Sequence, residues 1–184
     1  MVIILREIDL KRYEIRTDLV DDITKLDGDT YDKNGISINK YEIDDDTSSK
    51  IGKKKGKYIT ISFEDVTDSD NYLNLKNVLK EELTPFFKNI DKILFIGLGN
   101  RNSTPDSLGP KVCDDILVTA YLTDFGPLEE GFKNTAIFTP GVTGNNGIET
   151  NKLIKSVVSI YNPSLVVLID ALATSSMSRV CKTI

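Results

Sequence analysis

Histidine is missing from this chain altogether. Its absence excludes Ser-His-Asp and Cys-His catalysis and any zinc site with imidazole ligands. A hydrolase built from these residues must run on carboxylates, a lysine, a terminal amine or a hard metal ion. Cysteine is nearly as scarce: Cys113 and Cys181 stand far apart, without CxxC spacing. Cys113 falls on an apolar helical face and reads as a small core residue in a reduced compartment. Long apolar runs are lacking too. The opening MVIIL breaks at Arg6 and Glu7, so neither a signal peptide nor a membrane span is expected, and the protein reads as intracellular. Basic excess is absent, the net charge being −5. Direct binding to nucleic-acid phosphates is therefore disfavoured, because neutralised phosphates supply most of that affinity. The lysines at 53, 54, 55 and 57 lie between Gly52 and Gly56 or beside them and read as a solvated turn.

What remains is an ordinary globular composition, 40% hydrophobic and 28% charged over 184 residues, enough for one domain with a real core. Alternating apolar residues at 36–43 and the β-prone run at 58–63 predict an antiparallel strand pair joined by a long polar connection. Tyr72, Leu75, Leu79, Leu83 and Phe86 then recur at helical spacing, predicting an amphipathic helix over 71–88, capped by Asp68 or Ser69. From there strands and helices alternate. A strand at 92–96 runs into a glycine loop, and a helix at 110–122 carries Val112, Cys113, Ile116, Leu117 and Ala120 on one face. A strand at 135–138 leads to a second glycine-rich loop at 139–149. Thr150 caps a helix that ends at Asn162 and Pro163, and the apolar run 165–169 ends in Asp170. Continuous apolar strands between helices predict an α/β fold, a mostly parallel sheet with helices on both faces, preceded by the antiparallel strands. The right-handed crossover rule sends every strand C-terminus to one edge, so both glycine loops and Asp170 are expected on one rim.

Residues 93–110, ILFIGLGNRNSTPDSLGP, are the least generic stretch. A dinucleotide fingerprint would need glycine at Asn102, and the P-loop Lys-Ser/Thr ending is missing, so a phosphate cradle is disfavoured. The acids Asp106 and Asp170 are the better candidates. Two carboxylates close together do not both ionise comfortably, so one stays protonated while the other activates water. Asp106 also reads as a turn or helix-capping residue, and Glu149 as a helix cap. Asp170, after five apolar residues, has a structural hydrogen-bonding reading, although a buried strand end is a costly place for a carboxylate. Asp106, Asp170 and Glu149 would also serve as hard oxygen ligands in a metal-dependent hydrolase.

Gly97-Leu98-Gly99-Asn100, then Thr104 through Val112, resembles the signature of the germination protease family of spore-forming Firmicutes. Pro140-Gly141-Val142 with Gly147 to Thr150, Ile169 to Ala173, and Ser178-Arg179-Val180 resemble its later blocks. Arg16-Thr17-Asp18-Leu19 and Ile51 to Thr60 resemble its earlier ones. The resemblance implies an endopeptidase that degrades the small acid-soluble proteins of spores at germination, made as a tetrameric, self-processing zymogen in the forespore or spore core. It implies a fold similar to hydrogenase maturation proteases; separately, no cofactor, metal, membrane or direct nucleic-acid partner is expected from the residues. Its catalytic aspartates fall on Asp106 and Asp170, with Asn100 and Glu149 in support. Its processing site falls between Asp18 and Leu19, leaving residues 1–18 as a propeptide and 19–184 as a single α/β peptidase domain. Val20 and Asp22 depart mildly from the family pattern. Family members also extend well beyond Ile184, so the expectation is a portion truncated at the C-terminus, with an inactive fragment as the alternative.

Overall fold

The computed structural model describes residues 17–22 and 28–184. The chain divides into two compact units, Met1–Leu83 with Leu172–Ile184, and Thr84–Ala171.

The first unit is built on an antiparallel sheet of β1 (Asp29–Lys33), β2 (Ile36–Ile43) and β3 (Gly56–Ser62), in that order. Asn34 and Gly35 turn β1 into β2, both with positive φ (55° and 80°), the conformation a tight primed hairpin turn demands. The period-2 pattern places Ile36 and Ile38 on one face, and Ile61 lies opposite Ile38. Against them pack Leu75 and Val78 of α2 (Ser69–Leu83). Asp68 caps that helix by accepting from the backbone N–H of Asp70 and Asn71. The buried stripe is Leu75, Val78 and Leu79, while Tyr72, Leu83 and Phe86 are exposed. The predicted helix over 71–88 is thus rotated and shorter than expected. It stops before Pro85, which has no N–H to continue the ladder, and a 3-10 turn, Thr84–Phe87, follows.

The polar connection between β2 and β3 carries a short helix, α1 (Asp45–Ile51), that the sequence pattern did not reveal. Asp44 caps it through Thr47 N, and Gly52 closes it in the left-handed conformation (φ 70°). The lysine run beyond is only partly a solvated turn, since Lys53 and Lys55 both have partners. The final residues return to this unit as an edge partner of β3. Ile61 and Ile184 exchange N–H···O bonds of 2.8 and 2.9 Å, and Phe63 N donates to Lys182 O. Arg179 lies in a 3-10 turn, Met177–Arg179.

The second unit is a parallel sheet ordered β5 (Asn134–Phe138), β4 (Lys92–Gly97), β6 (Leu165–Ile169). The central strand has Ile93, Leu94 and Ile96 at 3% exposure or less, as a strand covered on both faces requires. Among the described residues β6 pairs with β4 alone, and its Leu168 is 56% exposed. α3 (Leu108–Asp114) follows β4; α4 (Thr143–Asn146) and α5 (Thr150–Tyr161) follow β5. Asn162 ends α5 in the left-handed conformation (φ 50°).

The helix expected over 110–122 is cut to one that stops at Asp114. Asp114 and Asp115 sit at its carbonyl end, where negative charge is unfavourable. Beyond it Thr119 is tied to β5 instead: its N–H donates to Thr135 O, its hydroxyl to Lys133 O, and the same hydroxyl accepts from Thr135 N. Cys113 is fully buried as expected, and burial pushes its thiol pKa up. Leu117, placed by periodicity on the apolar face, is 65% exposed because the helix no longer reaches it. Among the described residues no helix is long and apolar enough to cross a membrane.

Candidate functional site

Asp106 and Asp170 both belong to the second unit, and the strand register fixes where their backbones lie. Gly97 at the end of β4 pairs with Ile169 at the end of β6, and Leu98 N donates to Ile169 O at 2.8 Å. Asp170 is therefore the first residue past the β6 end. Asp106 sits in a 3-10 turn, Thr104–Asp106, just before α3. The start of α3 is pressed onto those same strand ends. A Cβ on Gly109 would lie 2.4 Å from the carbonyl oxygens of both Ile169 and Leu98. No side chain fits there, and glycine is what allows the close approach. Gly99 serves the second close approach: with φ +109°, its missing Cβ would fall 2.1 Å from Asp106 O. These glycines let one backbone pack on another rather than cradle a phosphate.

The loop is locked through Asn100. Its N–H lies 2.9 Å from both the carbonyl oxygen and Oδ2 of Asp106. Its own Oδ1 accepts from Asn102 N at 3.1 Å and from Nδ2 of Asn145 at 3.3 Å, so the two glycine-rich loops touch at this residue. Asp106 is half-buried, with Oδ2 held by a backbone donor. Asp170 is exposed and accepts from Ala171 N at 2.8 Å. Asp170 is exposed where a buried strand end was expected, β6 having β4 as its one strand partner among the described residues. Glu149 occupies the N-cap position of α5 without a side-chain cap bond; its carbonyl accepts from Lys152 N, and its carboxylate pairs with Lys152 Nζ at 3.1 Å. Thr150, expected as the cap, is the first helical residue instead. Among the described residues no three Asp, Glu, His or Cys side chains gather as a metal-binding group.

The first unit holds the other residues of interest. Leu19 and Val20 are buried (5% and 1% exposed). Asp18 is paired with Ala173 in both directions: Asp18 N donates to Ala173 O, and Ala173 N donates to Asp18 Oδ2, each at 2.8 Å. Leu19 N donates to Thr17 Oγ1 at 3.2 Å. Lys53 Nζ donates to the carbonyl oxygens of Thr17 and Asp18, at 2.9 and 3.2 Å.

Three arrangements were not visible in the sequence. Arg101 forks onto Asp114 and braces the glycine loop against the end of α3; this raises the Arg101 pKa and lowers that of Asp114. Lys53 reaches the 17–18 backbone. Arg179 bridges Asp21 and Asp22 at 3.3 Å each, with the two carboxylate side chains only 5% and 6% exposed. Asp21 also accepts from Asn39 Nδ2 and Thr60 Oγ1, neighbours across β2 and β3. Asp22 Oδ2 accepts from Thr17, Thr174 and Ser175. The Arg101, Lys53 and Arg179 pairings each join residues more than a dozen positions apart, and only the adjacent acids at 21 and 22 gave a local hint.

Comparison with known proteins agrees with the motif reading. The profile of the germination protease family matches residues 3–184. A germination protease of Priestia megaterium is 34% identical over 205 residues, covering 97% of this chain and 55% of the relative. That of Bacillus licheniformis is 36% identical over 203 residues with the same coverage. One from Bacillus cereus is 34% identical over 200 residues, with 96% and 54% covered. The chain thus spans about half the length of these relatives. With a family match across nearly its whole length, the chain belongs to the germination protease family.

Proposed function

We propose that the chain is part of an endopeptidase that cuts small acid-soluble spore proteins at germination, with Asp106 and Asp170 as the water-activating pair. One observation carries the reading. The Leu98 N to Ile169 O bond and the packing of Gly109 on Ile169 set the backbones of both acids around the same strand ends. One carboxyl serves as base, taking a proton from water and aiming the oxygen at the scissile carbonyl, while the other serves as acid. The protonated partner then donates to the leaving nitrogen. Asn100, whose N–H holds Asp106 Oδ2, is a positioning residue for that acid, and Glu149 is a supporting group on the neighbouring loop.

The rest of the reading follows the family. The enzyme is a zymogen that frees itself by cutting between Asp18 and Leu19, so that residues 1–18 are a propeptide and 19–184 contribute the α/β peptidase portion. It works as a homotetramer in the forespore or spore core. Its parallel sheet, with helices on both faces, is arranged as in hydrogenase maturation proteases. Asp106→Asn and Asp170→Asn, made in the protein expressed from its complete reading frame, each abolish cleavage of a purified spore-protein substrate and leave the far-UV CD spectrum unchanged. Near-normal turnover in both variants would sink the aspartate mechanism.

A further inference from the structure

The Lys53 ammonium has an unusual set of partners. It donates to two consecutive main-chain carbonyls, Thr17 O and Asp18 O, and among the described residues no carboxylate lies within ion-pairing distance of it. Its neighbours behave differently: Lys55 pairs with Asp45, and Lys54 and Lys57 are exposed. Lys53 itself is half-buried and held from below, because Gly52 closes α1 in the left-handed conformation and Ser48 Oγ donates to Lys53 O at 2.6 Å. The carbonyl it touches is equally constrained. Asp18 is paired to Ala173 through its N–H and its carboxylate, and Leu19 and Val20 are buried on the other side. A cation with no carboxylate partner among the described residues, held on a constrained carbonyl, suits an oxygen about to become negative.

We propose that Lys53 is the electrophilic catalytic residue for cleavage of the bond between Asp18 and Leu19. The inference rests on the processing reading above and adds to it the group that polarises the scissile carbonyl. Water adds to the Asp18 carbonyl carbon and gives its proton to an ionised carboxylate acting as general base. The carbonyl π electrons move onto the oxygen that Lys53 holds. Collapse restores the C=O bond and breaks the C–N bond, and the protonated carboxyl passes its proton to the Leu19 nitrogen. The products are the Asp18 α-carboxylate and the Leu19 α-amine; nothing is oxidised or reduced. A freely rotating lysine would stabilise that oxygen little, whereas a donor already held on the carbonyl contributes more.

The test follows release of residues 1–18 by mass spectrometry in the intact wild-type protein and in Lys53→Met, Lys53→Arg and Asp106→Asn. Lys53→Met keeps the stem and removes the charge, and should slow release by about 10²- to 10³-fold, the loss typical of one oxyanion donor. Lys53→Arg, whose fork can span both carbonyls, should stay within roughly tenfold of wild type. Lys53→Met matching wild type while Asp106→Asn is silent would overturn the Lys53 assignment and leave the aspartate reading standing. A bond left whole in wild type and Asp106→Asn alike would overturn both. A second readout uses the Asp106→Asn background, with carbonyl carbon-13 placed at Asp18. Adding Lys53→Met should move that resonance upfield as the hydrogen bond is lost; an unmoved resonance also refutes the assignment. Hydrogen exchange at the Leu19 amide separates charge stabilisation from mere anchoring. Unchanged protection alongside slowed cleavage supports the proposal, and protection lost in step with the rate refutes it.

Discussion

Replacing Gly109 by alanine pits two effects of opposite sign. Gly109 lies inside α3, where glycine-to-alanine ordinarily stabilises a helix by about 0.5–1 kcal/mol. Here the added methyl would sit 2.4 Å from Ile169 O, 2.4 Å from Leu98 O and 2.6 Å from Leu98 N. Those atoms are backbone of β6 and of the residue following β4, tied together by the Leu98 N to Ile169 O bond, so no flexible side chain can yield. Relieving three contacts of this kind requires lifting the helix start from the strand ends. Overpacking of a tight interior costs about 1–3 kcal/mol, and rigid backbone on the far side puts this site at the upper end. The net expectation is about 2–3 kcal/mol of destabilisation. With a urea slope of about 2 kcal/mol/M, the midpoint should fall by about 1–1.5 M. Gly144→Ala is the control, because Gly144 is also helical and its Cβ would meet nothing within 4 Å; it should leave the midpoint unchanged or slightly raised. A Gly109→Ala midpoint at or above wild type would refute the close-packing account of the glycine loop, and with it the placement of Asp106 at the strand ends.

Two further outcomes concern the acid cluster of the first unit. Arg179→Ala leaves Asp21 and Asp22 buried without their cation. It should lower stability by about 3 kcal/mol in urea melts at pH 7, the hydrogen bonds from Asn39, Thr60 and Thr174 moderating a larger loss; a change within experimental scatter would show that the bridge is ornamental. The second is a pH dependence. Burial pushes the Asp22 carboxyl up, but hydrogen bonds from Thr17, Ser175 and Thr174 outweigh it and hold the pKa below its ordinary value of 3.8. A depressed carboxylate contributes stability that is fully present above the unfolded value and is lost as pH falls through the folded one. Tm should therefore drop as pH falls below about 4, and Asp22→Asn should flatten that part of the curve; parallel curves would contradict the linkage.

Periodicity alone fixed the class of each half of the chain. Alternation at 36–43 and 58–63 could only be satisfied by strands with one buried face, and continuous apolar runs at 92–96 and 165–169 pointed to a parallel sheet, which is covered at β4 but not at β6. These are local properties, set by which side chains avoid water every second residue. Helix lengths were less legible, because 110–122 is periodic throughout and yet ends at Asp114, where Thr119 finds better hydrogen bonds on β5. Asp106 and Asp170 were legible from their place at the strand ends and again from motif resemblance, Asp18 and Leu19 from resemblance alone, and the glycines around Asp106 were ambiguous until Gly109 was seen against Ile169 O.

From the sequence alone come the absence of histidine chemistry, the α/β alternation and the membership of a family. The tertiary structure alone decided that Lys53 meets Asp18, that Arg179 meets Asp21 and Asp22, and that Arg101 meets Asp114. The reason is physical. A lone charge in a sequence reads as a solvated surface group, and nothing local records which distant carbonyl or carboxylate the fold will bring within 3.3 Å of it.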